Sequence, residues 1–362
     1  MSFGYIFNED TCARIHTNTP TYPEIPETRI ENVHYEKLEI TGEDRLTFDL
    51  VNAPPSHANA LRRALLSNVP SIALEVIGIT KNDGIMPDEM LCHRLGLIPL
   101  NIEPRWLETP KEPIQNDSQD PQTTLLFALH VIGGEKPDNR EEPDEEVLKQ
   151  LDSSWEDNTI PPFYTGSSGL VLSSHLVWLP FPDQKNTIPP VYPLHLDVPI
   201  TKLRPGQEIE LTARAIKSIG KDHAKFSPVC TAFYRMVPLI ELRNDLLNNR
   251  QKKLLVDSCP MHIFQYSNRN IDDPVEDIED LEGTEIIIHD SRKCTSCREC
   301  IRDPALDRCL TVGKEVNRYE FTVESVGVRP APELVKEALQ ILRQKCEELK
   351  EEIKIASESN DE

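Results

Sequence analysis

The sequence predicts an α+β fold that combines β-strands with two amphipathic helices. Apolar residues at alternate positions between residues 29 and 51 predict a β-hairpin that turns at Gly42. Apolar residues at helical spacing over 57–69 and over 332–355 predict two helices, each with an apolar stripe. One hairpin cannot bury two such stripes, so a second set of elements is expected to pack against them.

The first helix has clear boundary signals. Pro54 and Pro55 disfavour an earlier start, and Ser56 is a suitable N-cap residue. The apolar stripe then continues to residue 69, and Pro70 follows it. We therefore expect a helix over 57–69.

The rest of the chain alternates between strand-like and loop-like segments. Residues 71–79 are apolar and rich in β-branched side chains, which predicts a strand, and the turn signal 82–84 follows. A short helix is expected to carry Asp88 and Glu89 in its first turn. Further strands are predicted at 123–134, 169–180, 209–215 and 319–328, and further helix at 237–258.

Composition limits the classes of function. The 362 residues carry a formal net charge of −22, which disfavours binding of DNA or RNA over the protein's own surface. The acidic residues are clustered, and the segment 135–157 is interpreted as a solvated acidic loop. The sequence has no run of about 18 apolar residues and no signal-peptide pattern, so an intracellular protein without membrane contact is expected.

The cysteines form one notable cluster. In an intracellular protein, the nine cysteines are expected to be thiols or metal ligands rather than disulfides. Cys294, Cys297 and Cys300 follow each other at the x2 spacing that lets thiolates reach one metal ion or cluster. We prefer Cys259 to Cys309 as a fourth ligand, because Cys-Pro closes such runs. Zinc, an iron–sulfur cluster and reduced structural cysteines all remain open.

Four segments in order resemble the alpha-like subunits of cellular RNA polymerases. They are the hairpin at 29–51, the stretch 56–100 with residues 59–63, Pro70, Asp88, Glu89 and 93–100, and the segments 203–238 and 321–346. The sequence of residues 223–235 resembles most closely that of the subunit shared by polymerases I and III. The chain has no cysteine between Cys92 and Cys230, whereas the polymerase II subunit carries a zinc-binding cysteine group in that interval.

The resemblance implies a domain organisation. A dimerisation domain made of a sheet and long helices is expected to be interrupted by an inserted, mostly β domain. The implied parts are a tail over 1–28, a dimerisation domain over 29–70 plus 237–355 with a ferredoxin-like insertion at about 257–315, an inserted domain over 71–236, and an acidic tail over 356–362.

The resemblance also implies a function. Such a chain is a non-catalytic assembly subunit of DNA-directed RNA polymerases I and III, which transcribe rRNA, tRNA and 5S RNA. It pairs with a small alpha-like subunit, and the heterodimer then recruits the second-largest and other subunits. It meets DNA only through the whole complex. The expected location is the nucleus, including the nucleolus.

Three groups of site residues follow, and no catalytic residue is expected. The first is the expected partner interface, formed by Asn59, Leu61, Arg62, Arg63, Leu65, Leu66, Leu334, Ala338 and Leu342. The second is the expected contact with a large subunit, formed by Arg94, Lys221, His223 and Lys225. The third is the candidate metal site, formed by Cys259, Cys294, Cys297 and Cys300.

Two other functions are compatible with parts of the sequence. An iron–sulfur redox protein would depend only on the cysteines between 259 and 309, and it would show reversible visible absorbance. A zinc-dependent nucleic-acid binder conflicts with the net charge of −22.

Overall fold

The computed structural model describes residues 4–7, 12–14, 27–37, 44–111, 120–135, 160–267 and 283–358. The helices are α1 (Pro55–Ser67), α2 (Asp88–Gly96), α3 (Asn249–Ser258) and α4 (Ala331–Glu358). The strands are β1 (Gly4–Phe7), β2 (Cys12–Arg14), β3 (Arg29–Lys37), β4 (Asp44–Val51), β5 (Pro70–Asn82), β6 (Thr124–Ile132), β7 (Phe163–Tyr164), β8 (Leu170–Leu172), β9 (Val177–Leu179), β10 (Pro199–Lys202), β11 (Glu208–Ile219), β12 (Val229–Leu242), β13 (Phe264–Tyr266), β14 (Ile286–Ile288) and β15 (Leu310–Ser325). The α+β class predicted from the sequence is confirmed.

The described chain divides into two compact units. The first comprises 1–34, 47–59 and 233–322, and the second comprises 35–46, 60–232 and 323–362. Within the described residues, none of the helices is long and apolar enough to cross a membrane.

The first unit contains most of a six-stranded sheet. Its strand order is β2-β1-β15-β4-β3, and β12 also pairs with β15. Aromatic rings fill its core, where Phe48 stacks on Phe321 with centroids 5.0 Å apart and Tyr234 lies against Phe321. A smaller cluster that includes Leu255, Phe264 and the cysteines packs around the β13–β14 hairpin.

The second unit is built on a five-stranded sheet with the order β5-β11-β6-β7, and β9 pairs with β6. Long antiparallel ladders join β11 to β5 and to β6. One face of this sheet packs against α2 through residues such as Leu74, Leu91 and Leu95, all nearly inaccessible to solvent. This sheet and α2 position the loop over 221–228 discussed below.

The predicted helices and the predicted hairpin are present with small shifts. Helix α1 begins at Pro55 rather than after Ser56, because proline fits the first helical position, where an N–H would have no partner. The pairing of β3 with β4 confirms the hairpin, although its turn lies outside the described residues. Strand β3 is exposed along its whole length, whereas the alternation had predicted one buried face.

Two local predictions were wrong. Residues 237–242 continue strand β12, and only Asn249–Ser258 forms the helix predicted over 237–258. The predicted strand over 169–180 is broken at Ser173, whose hydroxyl donates to the His195 carbonyl, so β8 and β9 join different sheets. In the predicted tail, β1 pairs with β15. The acidic loop over 135–157 lies almost wholly outside the described residues.

The predicted domain boundaries at 70/71 and 236/237 lie within about ten residues of the unit boundaries at 59/60 and 232/233. They differ at the C-terminus, because residues 323–362 belong to the unit that contains 71–232. The insertion of one domain into another therefore stays a prediction from the sequence.

Candidate functional site

Two of the three leucines of α1 that were predicted to meet a partner are buried within this chain. Leu65 is inaccessible to solvent and Leu61 is 2% exposed. The half-buried Asn59, Arg62 and Leu66 and the exposed Arg63 retain accessible surface on the helix. A partner surface on α1 would therefore consist of these four residues, with Leu61 and Leu65 as the core beneath them.

Helix α4 changes character along its length. Leu334 and Ala338 are inaccessible to solvent, whereas Leu342 is half-buried. Beyond them, Leu349 and Ile353 are 57% and 68% exposed. An apolar stripe thus continues on the surface over about three turns after the buried part of the helix ends.

This exposed stripe follows the 3-4 spacing of a helix-pairing seam. Starting from the exposed Leu339, its members are Leu342, Cys346, Leu349 and Ile353, separated by three or four residues. Residues at such a and d positions meet a second helix in coiled coils. The sequence predicted the apolar stripe, but it did not predict which part of the stripe is buried in this chain and which part is exposed.

Strand β3 is a second exposed element, which the sequence did not identify. It lies at the end of the six-stranded sheet and carries Ile30, Val33 and Tyr35, exposed by 45%, 62% and 41%. Natural sheets usually protect an edge strand of this length, and exposed apolar edges mark pairing sites.

The four residues predicted to contact a large subunit have different local roles. The Arg94 guanidinium donates to the carbonyls of Ile200 and Pro199, at 2.8 and 2.6 Å. The His223 Nδ1 accepts from the Lys225 amide and begins a short 3-10 turn, and Lys221 beside it is exposed.

Lys225 differs from the exposed lysine in the same loop. Its Nζ donates to the Leu74 carbonyl at 2.8 Å and lies 2.5 Å from the Glu75 carboxylate. It therefore fixes the loop to β5, which leaves Lys221 and His223 as the accessible part of this loop, and Arg94 is exposed as well.

The four cysteines of the candidate metal site line one small cavity of about 10 Å³, together with apolar residues of the same unit. Cys309 is not among the lining residues, and its thiol lies 3.5 Å from the Leu246 carbonyl. The Ser296 amide donates to the Cys294 sulfur at 3.4 Å. The structure thus brings Cys259 into the neighbourhood of Cys294, Cys297 and Cys300.

The structure gives no independent support for a metal at these cysteines. Among the described residues, no group of three or more His, Cys, Asp or Glu side chains is arranged to hold a metal ion. Burial raises the pKa of the Cys300 thiol to about 12 and also raises that of the Cys294 thiol. The geometry gives no support to zinc or to an iron–sulfur cluster, and the metal site stays a prediction from the sequence.

A buried ion network that sequence reasoning missed holds the cysteine segment to the sheet of the same unit. The Asp49 side chain on β4 is 1% exposed and accepts from Arg292 at 2.6 Å and from Arg318 at 2.9 Å. Asn32 adds a hydrogen bond at 2.8 Å. Burial would raise the pKa of this carboxyl, but these hydrogen bonds outweigh it and lower the pKa to about 2.

Most of the chain matches one known protein family. Residues 47–346 match the family described as the RNA polymerase Rpb3/Rpb11 dimerisation domain. The match covers α1, the five-stranded sheet, strands β12 and β15 of the six-stranded sheet, and the buried half of α4.

Individual relatives extend the match over most of the chain. The DNA-directed RNA polymerases I and III subunit RPAC1 of Homo sapiens is 33% identical over 330 residues, which are 90% of this chain and 84% of the human protein. The corresponding subunits of Dictyostelium discoideum and Saccharomyces cerevisiae are each 32% identical. Those alignments cover 88% and 84% of this chain, and 81% and 82% of the relatives. The polymerase II subunit rpb3 of Dictyostelium discoideum is 30% identical over 87% of this chain and 92% of its own length.

Proposed function

This chain belongs to the RNA polymerase Rpb3/Rpb11 dimerisation-domain family, and we propose that it is the alpha-like subunit shared by RNA polymerases I and III. The observation that carries the proposal is identity of 32–33% to RPAC1 subunits of three distant eukaryotes over more than 80% of each relative. The chain is a non-catalytic polymerase subunit, so its role is assembly. Its location is then the nucleus, and the nucleolus for polymerase I.

We propose that a smaller alpha-like subunit covers the exposed stripe of α4. Leu349 and Ile353 lie at seam positions and are more than half exposed. Pairing with a partner helix would bury both side chains, and each buried apolar side chain contributes roughly 1.5–3 kcal/mol. The exposed edge strand β3 offers a second pairing surface for the same partner.

The recruitment of a large subunit is assigned to a different surface. Lys221 and His223 are exposed on a loop that Lys225 fixes to the sheet. Arg62 and Arg63 on α1 add cationic surface in a chain whose net charge is −22. Arginine and lysine at these positions suit carboxylates and carbonyls on a second protein.

The test of the subunit assignment is affinity purification of the tagged full chain, with identification of the co-purified chains by mass spectrometry. Recovery of the largest subunits of both polymerase I and polymerase III is expected. Recovery of polymerase II subunits alone would overturn the assignment, and recovery of no polymerase subunit would overturn the function.

The test of the partner surface is co-expression with the small alpha-like subunit. The double substitution Leu349→Asp with Ile353→Asp is expected to reduce heterodimer recovery at least tenfold on gel filtration. Gln340→Asp with Gln344→Asp is the matched control, because it adds the same two carboxylates on the opposite side of the same exposed helix. Equal recovery of the double variant and the control would remove α4 from the interface.

A further inference from the structure

Strand β5 has an unpaired edge at Ile72. The Asp83 amide donates to the Glu208 carbonyl at 2.9 Å, so the even-numbered residues of β11 face β5. The Gly133 amide donates to the Gln207 carbonyl at 2.8 Å, so the odd-numbered residues of β11 face β6. This alternation decides which backbone groups of β5 are bonded to its neighbour.

Ile72 is opposite Lys217, an odd-numbered residue of β11. The two form a non-bonded pair of the antiparallel ladder, so the N–H and C=O of Ile72 point away from β11. Since β5 is the end strand of this sheet, no other described strand pairs with it on that side.

The outward-facing carbonyls on either side of Ile72 already have partners. The Arg329 guanidinium donates to the Pro70 carbonyl at 3.0 Å, and the Lys225 ammonium donates to the Leu74 carbonyl at 2.8 Å. Pro70 itself lacks an N–H, which suits the outward position at a sheet edge. Side chains thus cover the edge at residues 70 and 74 and leave a gap of about 13 Å centred on Ile72.

A cleft of about 280 Å³ lies against this gap. Its lining is largely apolar and includes Leu97, Ile98, Pro228, Val229, Val326 and Val328. Leu97 is 53% exposed, so the cleft is open to solvent at one side. The charged side chains among its described lining residues, Lys225 and Arg329, already form ion pairs with Glu75 and Glu337, so the cleft offers apolar surface and backbone groups rather than a net charge.

We propose that a short extended segment of another polymerase subunit adds to β5 at Ile72. Its backbone accepts from the Ile72 N–H and donates to the Ile72 carbonyl, as in recognition by strand addition. An apolar side chain of the added segment enters the cleft beside Leu97. The inference rests on the proposed function only for the source of the segment.

Amide hydrogen exchange resolved at single residues tests the backbone pairing. The Ile72 amide is expected to exchange rapidly in the heterodimer with the small partner and at least 100-fold more slowly in the purified polymerase. The Ala73 amide, which faces β11, is the internal control and is expected to be slow in both. An Ile72 amide that is slow in both samples is already bonded, and one that is fast in both meets only water; either result overturns the proposal.

Matched carboxylate substitutions test the cleft. Leu97→Asp at the cleft mouth is expected to lower recovery of the larger polymerase subunits at least tenfold. Leu170→Asp, at an exposed leucine of the same unit outside the cleft, is expected to leave recovery unchanged. Melting temperature and recovery of the small partner are measured for both variants, so that misfolding is recognised.

The outcomes separate the two proposals. If wild-type protein recovers polymerase subunits and Leu97→Asp recovers them equally, the strand-addition proposal fails and the proposed function stands. If wild-type protein recovers none, the proposed function fails. If the wild-type protein recovers polymerase subunits, a photo-crosslinker placed at Leu97 in the purified polymerase is expected to label one continuous segment of another subunit. Crosslinks that map to a helix of that subunit would contradict an extended ligand.

Discussion

The two halves of α4 carry similar apolar patterns and meet different environments. Ala331, Leu334 and Ala338 are inaccessible to solvent, whereas Leu349 and Ile353 are more than half exposed. Strands β4 and β3 repeat the contrast, since β4 is mostly buried and β3 is exposed throughout. An apolar stripe therefore identifies a surface to be covered, but it does not say whether this chain or a partner covers it.

The largest effect is expected in the buried half of α4. Leu334→Asp places a carboxylate without a partner at a fully buried position, which should destabilise the isolated chain by about 4 kcal/mol or more. Chemical denaturation of the chain without partners measures this. A loss of less than about 1 kcal/mol in the free energy of unfolding would show that the first half of α4 is not buried in the isolated chain.

The next effect tests the buried strand β4. Asp49→Asn removes the charge that pairs with Arg292 and Arg318. We expect the free energy of unfolding to fall by about 3 kcal/mol. This is the lower end of the range for buried ion pairs, because both arginines are partly exposed. Urea titration of the variant measures the change. Arg45→Gln is the control, since Arg45 pairs with Glu324 in a largely exposed bridge that contributes about 0–1 kcal/mol.

The same carboxyl gives a pH dependence with a definite sign. Its pKa is about 2 in the folded protein and lies near 3.8 when unfolded, so the unfolded state binds the proton first as pH falls. The contribution is complete above about pH 4 and is lost as pH falls towards 2. In Asp49→Asn the stability curve should be flatter over that window, and an unchanged slope would contradict the ion network.

The sequence predicted an element well where its apolar pattern fitted either a helix or a strand but not both. The periodicity of α1 and α4 and the alternation of β11 located these elements to within a few residues. It failed at 237–242, where the apolar run Val237–Leu242 fits helix or strand, and only pairing with β15 decides.

The candidate site was predicted less completely. The sequence identified Leu65 and Leu349 as members of apolar stripes, but burial is a tertiary property and separates them. The partnership of Asp49 with Arg292 spans 243 residues, and no local pattern reports it. The free edge at Ile72 depends on strand order and on hydrogen-bond parity, which become visible only when β5 is placed beside β11.

A smaller effect is expected where the exposed strand meets the start of the helix. The Asp44 carboxylate accepts from the Tyr35 hydroxyl and from the Ala331 amide at the start of α4, both at 2.9 Å. Tyr35→Phe removes one of these bonds at a part-exposed site and should cost about 1 kcal/mol. Thermal unfolding measures the loss, and a Tm equal to that of the wild-type protein would show that the hydroxyl is exchanged for water without cost.

The smallest effect in the isolated chain is expected at the exposed end of α4. Leu349→Ala removes a side chain that is 57% exposed and lies beyond the buried half of the helix, and alanine keeps the helix propensity. Its free energy of unfolding should change by less than about 0.5 kcal/mol, as for most surface substitutions. In the heterodimer the same change should weaken association by about 2 kcal/mol or more, because the side chain would fill a hole in the partner helix. Denaturation of the isolated chain and titration of the small alpha-like subunit measure the two quantities. A loss of stability in the isolated chain without a loss of affinity would reverse the assignment and make the end of α4 part of this chain's own core.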